Sequence, residues 1–164
     1  MTLFSKPLLK SAETLLADLT KAELKLAAAE SCTGGLVSAL FTEIPGCSHV
    51  FERGFVVYSN EAKRDMLGVP GDLIADHGAV SEQVAIAMAE GAIRNSRAHL
   101  AVSITGIAGP DGGTAVKPVG LVHFGACRKG GATLHEEHRF GSIGRDAIRM
   151  KSVEAALDLI RKLL

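Results

Sequence analysis

Apolar residues recur along this chain in two rhythms, and the places where one gives way to the other mark its elements. Over residues 5–19, Leu8, Leu15, Leu16 and Leu19 fall on one helical face, with Lys10, Glu13 and Asp18 left for solvent. That predicts a packing helix. Residues 26–29 form a short, wholly apolar run that reads as a buried strand. It breaks at Glu30-Ser31-Cys32-Thr33-Gly34-Gly35, after which residues 36–40 resume with helical character and Thr33 is the expected N-cap. A Pro-Gly loop over residues 44–48 precedes an apolar, β-branched strand over residues 54–58. Ser59-Asn60 ends that strand and caps a helix over residues 61–67 that closes at Gly68. Pro70-Gly71 predicts another loop. Ser81 caps a helix over residues 82–97, with Val84, Met88 and Ala92 as its apolar stripe. Residues 100–105 predict a strand, residues 106–113 a glycine-dense loop, and residues 120–127 and 132–140 a hairpin turning at Lys129-Gly130-Gly131. A last helix over residues 142–164 carries Ala147, Met150, Val153, Leu157 and Ile160 at helical spacing.

Helices alternating with apolar strands, followed by a hairpin, predict an α/β fold on a mixed sheet. With 164 residues and 47% hydrophobic positions, the chain is read as one domain, residues 1–164, with a sizeable core. Lys plus Arg and Asp plus Glu balance at 18 each, so no bulk field draws it to nucleic acid or an anionic membrane. An aromatic content of 4% with no Trp offers no stacking platform for single strands. No apolar run approaches the ~18 residues of a membrane span, and Lys6 and Lys10 interrupt any signal-peptide core. A cytoplasmic location is expected. Cys32, Cys47 and Cys127 form no CxxC pair and are odd in number, in keeping with a reducing compartment.

Several familiar chemistries fail on spacing. There is no GxxxxGK[ST]; Gly106, Gly109 and Gly112 are three apart and make no GxGxxG; Ala29 and Thr33 stand where GxSxG needs glycines; and there is no SxxK. The histidines give no HExxH, and His135 and His138, three apart on a predicted strand, face opposite sides, so neither metal nor cofactor is expected.

What remains is serine chemistry at the elbow. Ser31 sits where a strand turns into a helix, at the edge of an open sheet where ligands bind, and it is the candidate nucleophile. A turn that merely caps a helix is the plainer alternative. Without a histidine partner, the candidate base is Lys63, in the first turn of its helix, where the dipole and desolvation both favour the neutral amine. Taken alone, Lys63 reads equally as a solvated surface residue. Tyr58, the only tyrosine, ends the preceding strand and can relay a proton or orient Lys63. Amides around Thr33 and Gly34 suit an oxyanion, Thr105 a hydrogen bond to substrate, and the Gly106, Gly109 and Gly112 loop a phosphate. Arg145 and Arg149 suit bidentate phosphate recognition. Cys32 is the rival nucleophile, ranked second because its side chain should point away from that of Ser31.

Five ordered motifs carry a resemblance: Ala29-Glu-Ser-Cys-Thr-Gly-Gly35; Tyr58-Ser-Asn-Glu-Ala-Lys63 with Leu67-Gly68-Val69; Gly78-Ala-Val-Ser81; Thr105-Gly-Ile-Ala-Gly-Pro110 with Gly112-Gly113-Thr114; and Lys117-Pro-Val-Gly120. Together they resemble the CinA C-terminal domain family, from about Leu8 to the C-terminus. The resemblance implies a three-layer α/β/α sandwich with a mixed, mostly parallel sheet that forms homo-oligomers. It implies metal-free hydrolysis of the carboxamide of nicotinamide mononucleotide (NMN) to nicotinate mononucleotide and ammonia. It also implies Ser31 as nucleophile, Lys63 as base, Tyr58 and Thr105 as neighbours, and Arg145 on the phosphate. A non-catalytic nucleotide-binding module and an amidase for another small amide are the competing readings. Two positions depart from the family pattern: Arg53-Gly54 stands where a Gly-Gly pair is usual, and Ile143-Gly144 where Gly-Asp usually precedes the helix arginine.

Overall fold

The computed structural model describes residues 2–164. Six helices and five strands follow in the order α1 (Lys6–Lys21), β1 (Leu26–Glu30), α2 (Leu36–Thr42), β2 (Phe51–Val56), α3 (Asn60–Leu67), α4 (Gly71–His77), α5 (Glu82–Arg94), β3 (Leu100–Gly106), β4 (Leu121–Arg128), β5 (Thr133–Arg139) and α6 (Arg145–Arg161). The sheet order is β2-β1-β3-β4-β5. β1 pairs in parallel with β2 and β3, whereas β4 is antiparallel to β3 and to β5. Only β4 therefore runs against the other strands, which is the mixed sheet expected.

Both faces of the sheet are covered. Leu26 and Ala28 of β1, with Leu100, Val102 and Ile104 of β3, join the apolar faces of α1, α2 and α6 in one buried cluster. Ala27, Ala29 and Ala101 point the other way and meet Leu67 of α3, Ile74 of α4, and Val84, Met88 and Ala92 of α5. The alternation is the period-two geometry of a strand, and two-sided burial is why β1 reads as a continuous apolar run. Small residues dominate the α5 side because the helix lies close. A Cβ on Gly125 would reach the Ala85 carbonyl oxygen at 2.5 Å.

Four expectations shift. Pro70-Gly71 opens the short helix α4 and not a loop, because Pro70 serves as its N-cap and Asp72 sits in its first turn. β2 lies nearer the N-terminus than expected, ending at Val56, since Val57 keeps only its amide on Glu30 O while the Val57 and Tyr58 carbonyls accept from Lys63. α5 ends at Arg94, where Asn95 donates its side-chain amide to the Gly91 carbonyl at 2.8 Å. α6 starts at Arg145, because Gly144 has φ 100° and ψ 148°, outside the helical region.

Gly91 shows how tightly the α5 layer is built: a Cβ there would collide with the main-chain carbonyl of Leu67. Helix propensity alone would make Gly91→Ala stabilising by about 1 kcal/mol. The collision with backbone that cannot swing aside costs about 1–3 kcal/mol and outweighs it. Thermal unfolding of Gly91→Ala is therefore expected below wild type; an unchanged or raised midpoint would refute this packing account.

Candidate active site

β1 delivers Ser31 to the carboxyl edge of the sheet. The Ser31 amide donates to Ile104 O at 3.0 Å, extending the β1–β3 ladder by one rung, and the Gly34 amide donates back to Ser31 O at 3.0 Å. Gly34 and Gly35, at φ 57° and 101°, take the left-handed conformations that let the chain turn so sharply into α2.

The expected N-cap, Thr33, does not cap α2; Gly35 occupies that position and makes no side-chain cap bond. The buried Glu30 carboxylate takes over the task. One of its oxygens accepts from Thr33 Oγ1 at 2.8 Å and Val37 N at 2.8 Å; the other accepts from Ser38 N at 3.1 Å and Ser38 Oγ at 2.8 Å. A carboxylate with no exposure is tolerable only when its oxygens are satisfied in this way, and the start of a helix favours its charge. Gly54 makes the room, because a side chain there would overlap Ser38 Oγ. Of the pair Arg53-Gly54, the residue the elbow needs is thus the glycine.

α3 carries Lys63 inward. Its cap is as expected, with Ser59 Oγ accepting from Ala62 N at 3.0 Å. Lys63 is 1% exposed, far from a solvated lysine. Its Nζ stands 3.1 Å from Ser31 Oγ, 3.0 Å from Val57 O and 3.2 Å from Tyr58 O. Burial pushes the Lys63 amine below the ordinary lysine range. A neutral amine has two N–H groups and one lone pair. With the N–H groups on the two carbonyls, the lone pair is left for the Ser31 hydroxyl proton. The ammonium formed by taking that proton has three donors for the same three oxygens, so the site suits both protonation states. The rival thiol fares worse: burial raises Cys32 to about 11, leaving it protonated near neutrality.

The cleft in front of Ser31 has a volume of about 250 Å³ and is lined by Ser31, Cys32, Tyr58, Asn60, Lys63, Ala79, Val80, Thr105, Gly106, Ala108 and Arg145. Tyr58 meets Lys63 through its main-chain carbonyl, while its phenol, 63% exposed with the rest of the side chain, stands at the rim. There Arg145 donates to Tyr58 Oη at 3.4 Å and to Gly109 O at 2.7 Å. Thr105 Oγ1 donates to Ala79 O at 2.8 Å, which ties the end of β3 to the opposite wall.

Five of the expected contacts lie off the cleft lining. The Thr33 hydroxyl belongs to Glu30; the Gly34 amide belongs to Ser31 O; Gly109 offers Arg145 a carbonyl; and a Cβ on Gly112 would meet Ile107. Arg149 turns back onto the elbow, donating from Nε to Cys32 O at 3.1 Å and from Nη2 to Thr33 O at 3.2 Å. Among the described residues the amides of Cys32 and Thr33 find no acceptor; Thr33 is fully buried off the cleft, so the elbow amide that borders it is that of Cys32. The sequence pattern points to no site role for Glu30, Ala79 or Val80, and gives Asn60 only a share in a helix cap. Asn60 follows the cap serine directly, and Ala79-Val80 lies inside one of the five motifs, so each carried a signal that went unused.

His135 stacks on His123, while His138 lies against Phe124 and Phe140, on opposite faces of β5 as expected. Among the described residues no three His, Cys, Asp or Glu side chains are grouped to hold a metal ion, and no helix is long and apolar enough to cross a membrane.

Comparison with known proteins agrees with this picture. The family model for the CinA C-terminal domain matches residues 8–164. A competence-damage inducible protein of Caldicellulosiruptor bescii is 49% identical over 92% of this chain, which spans only 36% of that longer relative. The nicotinamide-nucleotide amidohydrolase PncC of Escherichia coli is 51% identical over 132 residues, 80% of this chain and 79% of its own length. The crystal structure of the competence/damage inducible protein CihA from Agrobacterium tumefaciens superposes with a TM-score of 0.97 at 50% identity, covering 99% of both chains. With elbow, buried lysine and fold all in place, the chain belongs to the CinA C-terminal domain family.

Proposed function

We propose that this chain is a nicotinamide-nucleotide amidohydrolase that converts NMN to nicotinate mononucleotide and ammonia through Ser31 and Lys63. One observation carries the reading: a buried lysine amine 3.1 Å from the hydroxyl of a serine at a strand-to-helix elbow. The relative named for this activity, at 51% identity, supports the choice of substrate.

In this mechanism neutral Lys63 takes the Ser31 hydroxyl proton as Oγ bonds to the carboxamide carbon. The carbonyl oxygen, now an anion, is held by the Cys32 amide. The C–N bond then breaks, and Lys63 returns its proton to the departing nitrogen, which leaves as ammonia. Water attacks the acyl-enzyme and gives one proton to the same amine; as the acyl–Oγ bond breaks, Lys63 returns that proton to Ser31 Oγ, and the acid leaves as nicotinate, its remaining proton passing to solvent. Arg145 at the rim holds the phosphate, and Asn60 and Thr105 border the body of the nucleotide. Binding at that remote end orients the carboxamide. A cleft of about 250 Å³ suits one nucleotide.

Ammonia release from NMN by purified protein tests the reading. Ser31→Ala and Lys63→Ala should each lower kcat by at least about 10³-fold, with folding intact by circular dichroism. Wild-type protein that binds NMN without releasing ammonia would instead indicate a binding module. Loss of turnover in Cys32→Ala with turnover kept in Ser31→Ala would move the nucleophile to the thiol.

The pH profile follows from the sign of the Lys63 shift. The active form is the free amine, so kcat/KM should rise with pH and level off above the Lys63 pKa. Because burial lowers that pKa, the midpoint should fall below the ordinary lysine value of about 10.4. A rate still climbing past the ordinary lysine range would refute the desolvated base.

A further inference from the structure

We infer that Arg149 is a positioning residue for the oxyanion-binding amide of Cys32 and does not contact the substrate's phosphate. The inference rests on the reading of Ser31 as nucleophile. The guanidinium fork grips two successive main-chain carbonyls of the elbow, Cys32 O at 3.1 Å and Thr33 O at 3.2 Å, from the side of α6. Thr33 O also accepts from Leu36 N at 3.1 Å, but Arg149 is the donor that Cys32 O receives among the described hydrogen bonds.

A peptide unit is planar and trans, so fixing the direction of a C=O fixes the N–H on the opposite edge of the same plane. Holding Cys32 O toward α6 therefore turns the Thr33 N–H away from α6. Holding Thr33 O does the same for the Gly34 N–H, which is then committed to Ser31 O at 3.0 Å. The Ser31 carbonyl so held turns the N–H of its own peptide, that of Cys32, to the opposite edge, and Cys32 lines the cleft, whereas Thr33 is fully buried off it. A cation on the Thr33 carbonyl also polarises that peptide, which makes the Gly34 N–H a stronger donor to Ser31 O and so the Cys32 N–H a stronger donor in turn.

Two further features show that the elbow is built around this grip. Gly34, at φ 57°, makes its left-handed turn directly against the guanidinium. Glu30 braces the other side, its carboxylate holding the Thr33 hydroxyl and the first amides of α2. The turn after Ser31 is thus clamped between a buried carboxylate and a guanidinium. Arg145, at the rim and lining the cleft, remains the cation placed for a phosphate.

The two roles separate with an acyl donor that carries neither phosphate nor nicotinamide. With p-nitrophenyl acetate, Ser31 Oγ bonds to the acetyl carbon as its proton passes to Lys63; the ester C–O bond breaks and p-nitrophenolate leaves. Stopped-flow release of p-nitrophenolate gives the rate, and mass spectrometry locates the acetyl group on Ser31. Arg149→Gln should slow this acylation by about 10–100-fold, toward the loss seen when an oxyanion donor is removed. Arg149→Lys, with the charge but no fork, should stay impaired, and millimolar guanidinium should restore part of the rate to Arg149→Ala. With NMN, kcat should fall while KM stays within about threefold.

Wild-type acylation rates in Arg149→Gln, with KM for NMN raised, would overturn the inference and make Arg149 a phosphate contact. Slow acylation in Arg149→Ala that guanidinium does not recover, together with a lowered thermal midpoint, would overturn it in favour of a general loss of fold. If wild type is acylated at Ser31 yet releases no ammonia from NMN, the NMN reading fails while the acylation rates still decide Arg149. If wild type is not acylated at Ser31, the Arg149 inference falls.

Discussion

A buried amine facing a serine hydroxyl is the constraint to which the rest of this structure answers. Lys63 cannot remain charged at ordinary cost where it lies, because its Nζ has lost water and gained only two carbonyls and a hydroxyl. Burial therefore shifts the balance toward the neutral amine, and a neutral amine beside a hydroxyl is a base. The geometry that produces this state comes from two elements. α3 carries the lysine inward. The segment after β2 keeps one bond to β1, Val57 N to Glu30 O at 2.9 Å, and then turns so that the Val57 and Tyr58 carbonyls point at the amine.

The opposite half of the site depends on backbone direction. Ser31 is presented by a turn whose two glycines take left-handed conformations, and charged side chains hold that turn where a simple cap would not. Glu30 satisfies the start of α2 from inside the protein, and Arg149 satisfies the elbow carbonyls from α6. These contacts are worth more buried than at the surface, since each replaces a polar group that would otherwise stand unpaired. The cost appears in sequence as enforced glycines: Gly54, which leaves room for Ser38, and Gly34, whose φ of 57° makes the turn.

The layers serve the same end. Alanines on one face of β1 and β3 bring α5 close to the sheet, while larger residues on the other face fill the space under α1, α2 and α6. Thr105 Oγ1 on Ala79 O joins the end of β3 to the wall that leads into α5. The cleft is therefore bounded by main chain that the core already holds rigid.

Strands, helices and mixed sheet were legible in the chain itself, because strand and helix periods differ and because burial on both faces leaves an unbroken apolar run. The elbow, Ser31 and Lys63 were legible too, since a serine between a strand and a helix and a lysine in a first turn are local patterns. α4 is short and starts at a Pro-Gly, the signal of a loop, and Thr33 has the residue type of a cap, whereas the carboxylate that takes over the task comes from Glu30 in β1. Direction was beyond reach of the sequence. Whether Arg145 or Arg149 turns to the cleft, whether Tyr58 offers its phenol or its carbonyl, and which elbow amides stay free depend on partners far away in the chain. Local propensity decides which elements form; only packing decides where a long, flexible side chain finds its acceptor, and here that choice separates the residues of the cleft from those that hold it in shape.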